Sequence, residues 1–145
     1  MPATDVHEMA AHRLRAEGQR YTRARRALVD VLASSGAPLA IPQLLERDGT
    51  LAQSSAYRNL SVLEQAGVVH RIVTADEFAR YELAEHLTGH HHHLICSSCG
   101  DVADFTVSSD LEDDLDRALV GIARANGFVA DHHRLDLVGT CASCR

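Results

Sequence analysis

The sequence predicts an α+β chain in two parts: a winged helix-turn-helix over residues 1–84, then a small α/β dimerisation domain with a four-cysteine zinc site over residues 85–145. Three observations predict it. Apolar residues recur at helical spacing through the first 67 positions and give way to two short strand-like runs. Two matched knuckles, Cys96-x-x-Cys99 and Cys141-x-x-Cys144, frame the second part. The charge changes sign between them: residues 1–74 carry 9 Arg against 7 Asp and Glu, residues 75–145 carry 5 Arg against 13 acids.

The first part reads as helices. Residues of about 6–17 form one. Thr22 caps a second, in which Ala24, Leu28, Val29 and Leu32 share a face, and Ser34-Ser35-Gly36 ends it. Pro42 opens a short third helix that stops near Arg47, and Asp48-Gly49-Thr50 is a turn. Ser54 or Ser55 caps a fourth, which Gly67 terminates. Ala56, Leu60 and Leu63 form its apolar stripe, while Ser54, Tyr57, Arg58, Ser61 and Gln65 lie on the other side. The runs VVHRIV and ARYEL then flank a turn at Thr74–Glu77 and make a hairpin. A polar-faced helix followed by a hairpin is the arrangement that enters the major groove of DNA, and Tyr57 and Arg58 stand where its base-reading residues belong.

The second part changes character near Ala84–Gly89. HHHLIC and DVADF are strands joined by the first knuckle. Ser108 or Ser109 caps a helix with Asp110, Glu112, Asp113 and Asp114 in its first turns and Leu111, Leu115, Leu119 and Ile122 on one buried face. Asn126-Gly127 stops it, FVADHHRLDLVG alternates as a strand, and the second knuckle follows. So thin a ββαβ unit needs a metal or a partner subunit to hold it.

Composition narrows the function further. The 145 residues have 46% hydrophobic content, 4% aromatic, no Trp and a formal net charge of −6. All 14 basic side chains are Arg, whose planar fork suits phosphate and guanine. No apolar run approaches the roughly 18 residues of a membrane span. The charged N-terminus, MPATDVHEMAAHRLRAEG, reads as neither signal peptide nor anchor. A cytoplasmic protein is expected, where cysteines bind metal more often than they form disulfides.

Cysteine thiolates and imidazoles are what borderline-soft transition metals prefer. Two knuckles offer four sulfurs and no open position, the make-up of a structural zinc site: Cys96, Cys99, Cys141 and Cys144. The run His90–His93 leads into a strand, so alternate rings face opposite ways. His91 and His93 form one site with His70 on the hairpin and His86 in the hinge, with Glu82 as an alternative ligand. His90 and His92 form another with Glu112 and His133. His7, His12 and His132 read as ordinary surface residues. A zinc hydrolase would need an open metal and a general base, as in HExxH, and no such motif occurs. Metal storage is disfavoured by the DNA-reading helix.

The stretches SAYRNLSVLEQAGVV, YEL, HHHHLICSSCG and CASCR together resemble the ferric uptake regulator (Fur) family of bacterial metalloregulators over nearly the whole chain. The resemblance implies a homodimer that represses transcription by binding a palindromic DNA operator when its regulatory site holds a divalent metal, Zn²⁺ or Fe²⁺. It implies that the four cysteines hold structural Zn²⁺, that His91 and His93 are regulatory with Glu82 joining them in some branches, and that His90, His92, Glu112 and His133 make a third site. Tyr57 and Arg58 match recognition-helix contacts, and Arg20 matches a basic residue that reaches the minor groove. The family's N-terminal-domain histidine falls near Ala37-Pro38 and is absent. The hinge is about two residues longer than usual. His86 stands where the zinc-sensing (Zur) branch usually has Cys, and His70 where that branch has Asp. A peroxide sensor of the same fold is the alternative, because Asp104 matches a position that ligates metal in that branch.

Overall fold

A computed structural model describes residues 3–74 and 78–145 of the chain. Helix α1 spans Ala3–Ala16 and α2 Arg23–Ser35. Thr22 caps α2 by accepting from the amide of Arg25 (3.3 Å), and Gly36 ends it at φ 70, a left-handed conformation that glycine adopts without a Cβ penalty. A two-residue strand β1, Leu39–Ala40, leads into α3, Ile41–Arg47, where Pro42 sits in the first turn. Helix α4 spans Gln53–Gln65. Ala52 holds the N-cap position without a side-chain bond, so Ser54 and Ser55 lie inside the first turn instead of capping it; Ser55 bonds back to the carbonyl of Ala52 (3.1 Å). Strands β2 (Val69–Ile72) and β3 (Arg80–Leu83) form the hairpin, and β1 joins its far edge to give the antiparallel order β1-β3-β2. Part of the expected turn, residues 75–77, lies outside the described residues. The two-residue β1 is too short for an alternation pattern to reveal.

These elements share one core. Leu28, Val29 and Leu32 of α2 meet Ala56, Leu60 and Leu63 of α4 and Leu14 of α1, with Leu39, Val69 and Leu83 closing it from the sheet. His7 belongs here and not on the surface. It is 8% exposed, with ring nitrogens on Tyr21 Oη (2.5 Å) and Asp30 Oδ1 (2.6 Å), so it pins α1 to α2.

A single turn of helix, α5 (Glu85–Thr88), connects to the second sheet, and its Leu87 plugs the first core. Strand β4 (His92–Cys96) pairs antiparallel with β5 (Val102–Phe105). Helix α6 (Ser109–Ala125), capped by Ser108, returns the chain so that β6 (Asp136–Gly139) runs parallel to β4 on its other side. Only the last four residues of the expected 128–139 strand are a strand, because β4 offers pairing partners to Asp136–Gly139 alone. The expected buried face of α6 is open: Leu111 is 48% and Ile122 59% exposed, and every residue of β6 is exposed. Among the described residues nothing covers that apolar side.

Leu60 is fully buried at the centre of the first core. Leu60→Ala is expected to cost about 2–5 kcal/mol, the range for a leucine cavity. Urea unfolding followed by circular dichroism measures it, and a loss below about 1 kcal/mol would contradict the packing described.

Candidate metal centres and nucleic-acid face

Three groups of donor atoms converge among the described residues, each with its atoms within 4.8 Å of one another. The first is Cys96, Cys99, Cys141 and Cys144. Pairing β6 beside β4 puts Gly139 opposite Cys96, which brings the second knuckle onto the first. Tetrahedral Zn²⁺ at about 2.3 Å from each sulfur requires sulfur–sulfur edges of about 3.8 Å; the Cys99–Cys141 separation is 3.9 Å. The amides of Cys99 and Cys141 point at Cys96 Sγ (3.5 and 3.4 Å) and pull its thiol down to about 6. The neighbouring thiols of Cys141 and Cys99 push Cys144 up to about 12. Four crowded sulfurs with split acidities need a cation to be thiolates together. The donors fit a structural zinc site.

The second group is Glu82, His91, His93 and Asp104. Its parts come from both sheets. Glu82 is on β3, 8% exposed; the histidines are on or just before β4; Asp104 is on β5, directly across from His93. His91 Nε2 lies 2.9 Å and His93 Nε2 2.8 Å from the two Glu82 oxygens, and Asp104 Oδ1 is 3.9 and 3.6 Å from the same nitrogens. The far ring nitrogens are held as well: His91 Nδ1 by the Gly89 carbonyl (3.0 Å) and His93 Nδ1 by Asp136 (3.5 Å). That second layer would keep a proton on Nδ1 once an ion displaced the one on Nε2, as in ligating histidines.

Of the residues expected at this centre, Glu82, His91 and His93 come together. His70 and His86 do not join the cluster. They line a cavity of about 340 Å³ that also borders Glu82, His91 and His93, and His70 is the cross-strand partner of Glu82. Burial, then Arg134, lowers the His70 pKa; burial, then Arg13, lowers that of His86. Both therefore favour the neutral ring. Asp104 takes the fourth place. Folding the HHHLIC and DVADF runs about the first knuckle puts Asp104 opposite His93; the resemblance offers Asp104 as a ligand only for the peroxide-sensing alternative.

The third group is His90, His92, Glu112 and His133, and all four expected residues meet. His90 Nε2 stands 3.2 Å from His133 Nε2 and 2.9 Å from Glu112 Oε1; His92 Nε2 is 2.9 Å from Glu112 Oε2. Two imidazole nitrogens face to face, with a carboxylate between them, suit a shared cation. Outside them, Asp116 holds His133 Nδ1 (3.1 Å) and Glu85 bonds His90 Nδ1. The fully buried His92 has no partner at its Nδ1 among the described residues.

On the opposite side of the first core, Ser54, Tyr57 and Arg58 are exposed on α4 and border a groove with Ile41, Pro42, Gln53 and Phe78. Arg20 is exposed in the loop before α2. Sequence reasoning missed Arg25, which bonds the Arg20 carbonyl (2.7 Å) and Asn59 on α4 (3.0 Å), fastening that loop to the helix.

A winged helix-turn-helix joined to three clusters of residues that could hold metal ions is the build of a metal-responsive transcription factor. The chain belongs to the ferric uptake regulator family, whose model matches residues 16–138; members are metal-dependent regulators that bind DNA and act as dimers. It is 32% identical to the peroxide operon regulator of Bacillus subtilis over 145 residues, 96% of this chain and 94% of the relative. It is 34% identical to the ferric uptake regulation protein of Brucella abortus over 128 residues, 86% of each. The fold matches the Helicobacter pylori ferric uptake regulator, described as having three functional metal-binding sites, with a TM-score of 0.74 at 23% identity, covering 99% of this chain and 94% of that one. Among the described residues no helix is long and apolar enough to cross a membrane.

Burial would raise Glu82, but hydrogen bonds from His93 and His91 outweigh it and hold the carboxyl below its ordinary range. Burial would lower His91 and His93, yet the Gly89 carbonyl, Glu82 and Asp104 raise His91, and Glu82 and Asp104 raise His93. The raised histidines stabilise the metal-free fold below their ordinary pKa of about 6.5 and lose that contribution as pH climbs through the raised values. The depressed Glu82 contributes above its ordinary value and loses its share as pH falls through the lowered one. An incoming ion must displace the histidine protons. Metal affinity at this centre should therefore rise with pH, and protons released per ion should fall to zero once His91 and His93 are deprotonated. Calorimetry in buffers of different ionisation enthalpy reads this directly; proton release that ignores pH would contradict it.

Proposed function

We propose that this chain is a metal-gated repressor that binds a palindromic operator as a homodimer in the cytoplasm, with the Glu82/His91/His93/Asp104 centre as its sensor. One observation carries the reading: Glu82 belongs to the wing sheet, while His93 and Asp104 belong to the second sheet and His91 lies just before its strand β4. An ion shared by these residues fastens the two sheets at one angle. The open apolar side of α6 and β6 is where a second copy docks, so that angle fixes the separation of two α4 helices. Ser54, Tyr57 and Arg58 then read base edges in successive major grooves, with Arg20 in the minor groove. Metal binding becomes DNA affinity by linkage.

Residues Cys96, Cys99, Cys141 and Cys144 would keep Zn²⁺ permanently and supply fold stability. Two imidazoles and two carboxylates at the sensor suit Fe²⁺ or Mn²⁺ at least as well as Zn²⁺. His70 and His86, neutral rings on the adjoining cavity, are reserve nitrogen ligands that a softer ion such as Zn²⁺ would recruit. His90, His92, Glu112 and His133 would take a third ion, tied to the hinge through Glu85.

Operator binding by fluorescence anisotropy should tighten at least about tenfold on adding metal, the lower range of an allosteric coupling. Replacing both His91 and His93 with Ala should abolish that response while leaving the four-cysteine zinc in place. Equal affinity with and without metal in the unmodified protein would sink the gating. Asp104 in the cluster favours a second reading, a peroxide sensor in which bound iron directs oxidation of a ligand. Mass spectrometry after iron and peroxide should then find one added oxygen on His91 or His93; its absence with the iron site filled would discard that reading.

A further inference from the structure

Arg80 opens β3 and is 5% exposed, so its charge must be satisfied inside the protein. Its two terminal nitrogens serve different parts of the molecule. Nη1 donates to Thr74 Oγ1 (2.8 Å) and to the Phe78 carbonyl (3.1 Å), and Thr74 Oγ1 donates to that same carbonyl (3.0 Å). The guanidinium thus ties Thr74 to Phe78 at the end of the hairpin. Nη2 reaches the other sheet, to the Cys99 carbonyl (3.5 Å) and Asp101 Oδ1 (3.7 Å). Cys99 is a zinc ligand of the first knuckle, and Asp101 follows it. At the other end, Phe78 borders the groove that holds Ser54, Tyr57 and Arg58.

We propose that Arg80 is a strut that lets the four-cysteine zinc site position the wing for DNA. Zinc on Cys99 Sγ fixes the peptide whose carbonyl Arg80 faces. The guanidinium is rigid and planar, so fixing one edge orients the other. Asp101 is 67% exposed at its side chain, so its attraction is screened by water, and the forked geometry matters more than the ion pair. A site that serves stability in the second sheet therefore also sets the DNA-facing surface of the first. Lysine would not substitute, because a single ammonium cannot hold both edges.

The inference rests on reading α4 and the wing as the DNA-binding face, and the experiment separates the two. Two samples of the full chain, both stripped of metal at the histidine sites, are compared: one keeps its knuckle zinc, the other has lost it to a thiol-specific reagent. Amide hydrogen exchange is followed over residues 69–72 and 80–83. Zinc release should speed exchange there about tenfold, the scale of a lost charged hydrogen bond. Zinc-loaded Arg80→Met should already show that faster exchange, and releasing its zinc should add nothing; Arg80→Lys should fall between. Wing exchange unchanged by zinc release in the unmodified chain would overturn the proposal, even if Arg80→Met fails to fold. Equal increments in the unmodified chain and Arg80→Met would overturn it too, since independent effects add. Operator affinity is read in parallel: a flat response to regulatory metal removes the gating and leaves the exchange result standing.

Discussion

The grip of His91 and His93 on Glu82 is the contact on which the arrangement of the two sheets depends. The carboxylate is buried on the wing sheet, and a buried carboxylate without partners is costly. Its partners are two imidazoles on or just before β4, each with its far nitrogen held by a carbonyl or a carboxylate. In the metal-free molecule, protons on the histidines satisfy it. A divalent ion held there would replace those protons with a single centre that Glu82, His91, His93 and Asp104 share. The seam is therefore built to be closed by either species, and only the ion holds all four ligands in a fixed geometry.

The rest of the molecule is organised around this seam. The first core is complete without the second sheet, since α1, α2, α4 and the wing bury their own leucines and valines. The second sheet is incomplete by itself: α6 buries no residue and β6 is exposed throughout. It is drawn together by the four cysteines at one end and the second histidine cluster at the other, and its open face is the one assigned above to a partner copy. This asymmetry suits a switch. A self-sufficient reading head can swing on a hinge as short as α5, while the metal-rich unit supplies the frame.

Much of this was legible in the sequence because the physics is local. Thr22, Gly36, Pro42 and Gly67 mark helix ends by capping and backbone chemistry that act within a few residues. The four cysteines and the His90–His93 run announce donor chemistry outright, and strand alternation divides the histidines between the two clusters that the fold assembles. What was not legible depended on long-range register. Asp104, offered by the resemblance only for a peroxide sensor, joins the Glu82 cluster because of a cross-strand pairing, while His70 and His86 stay on the adjoining cavity. The face of α6 read as buried because an apolar stripe carries no mark of whether its cover is the same chain or another. His7 looked ordinary because nothing in its neighbours reveals Tyr21 and Asp30.

The central claim is geometric, so the most direct measurement is a distance. A spin label introduced at exposed Gln65 on α4 of each copy would report the separation of the two helices by pulsed electron resonance. The account predicts one narrow distance when a diamagnetic divalent ion such as Zn²⁺ fills the Glu82/His91/His93/Asp104 centre, and a broad distribution when only the cysteine zinc remains. The same narrow distance in both states would contradict it.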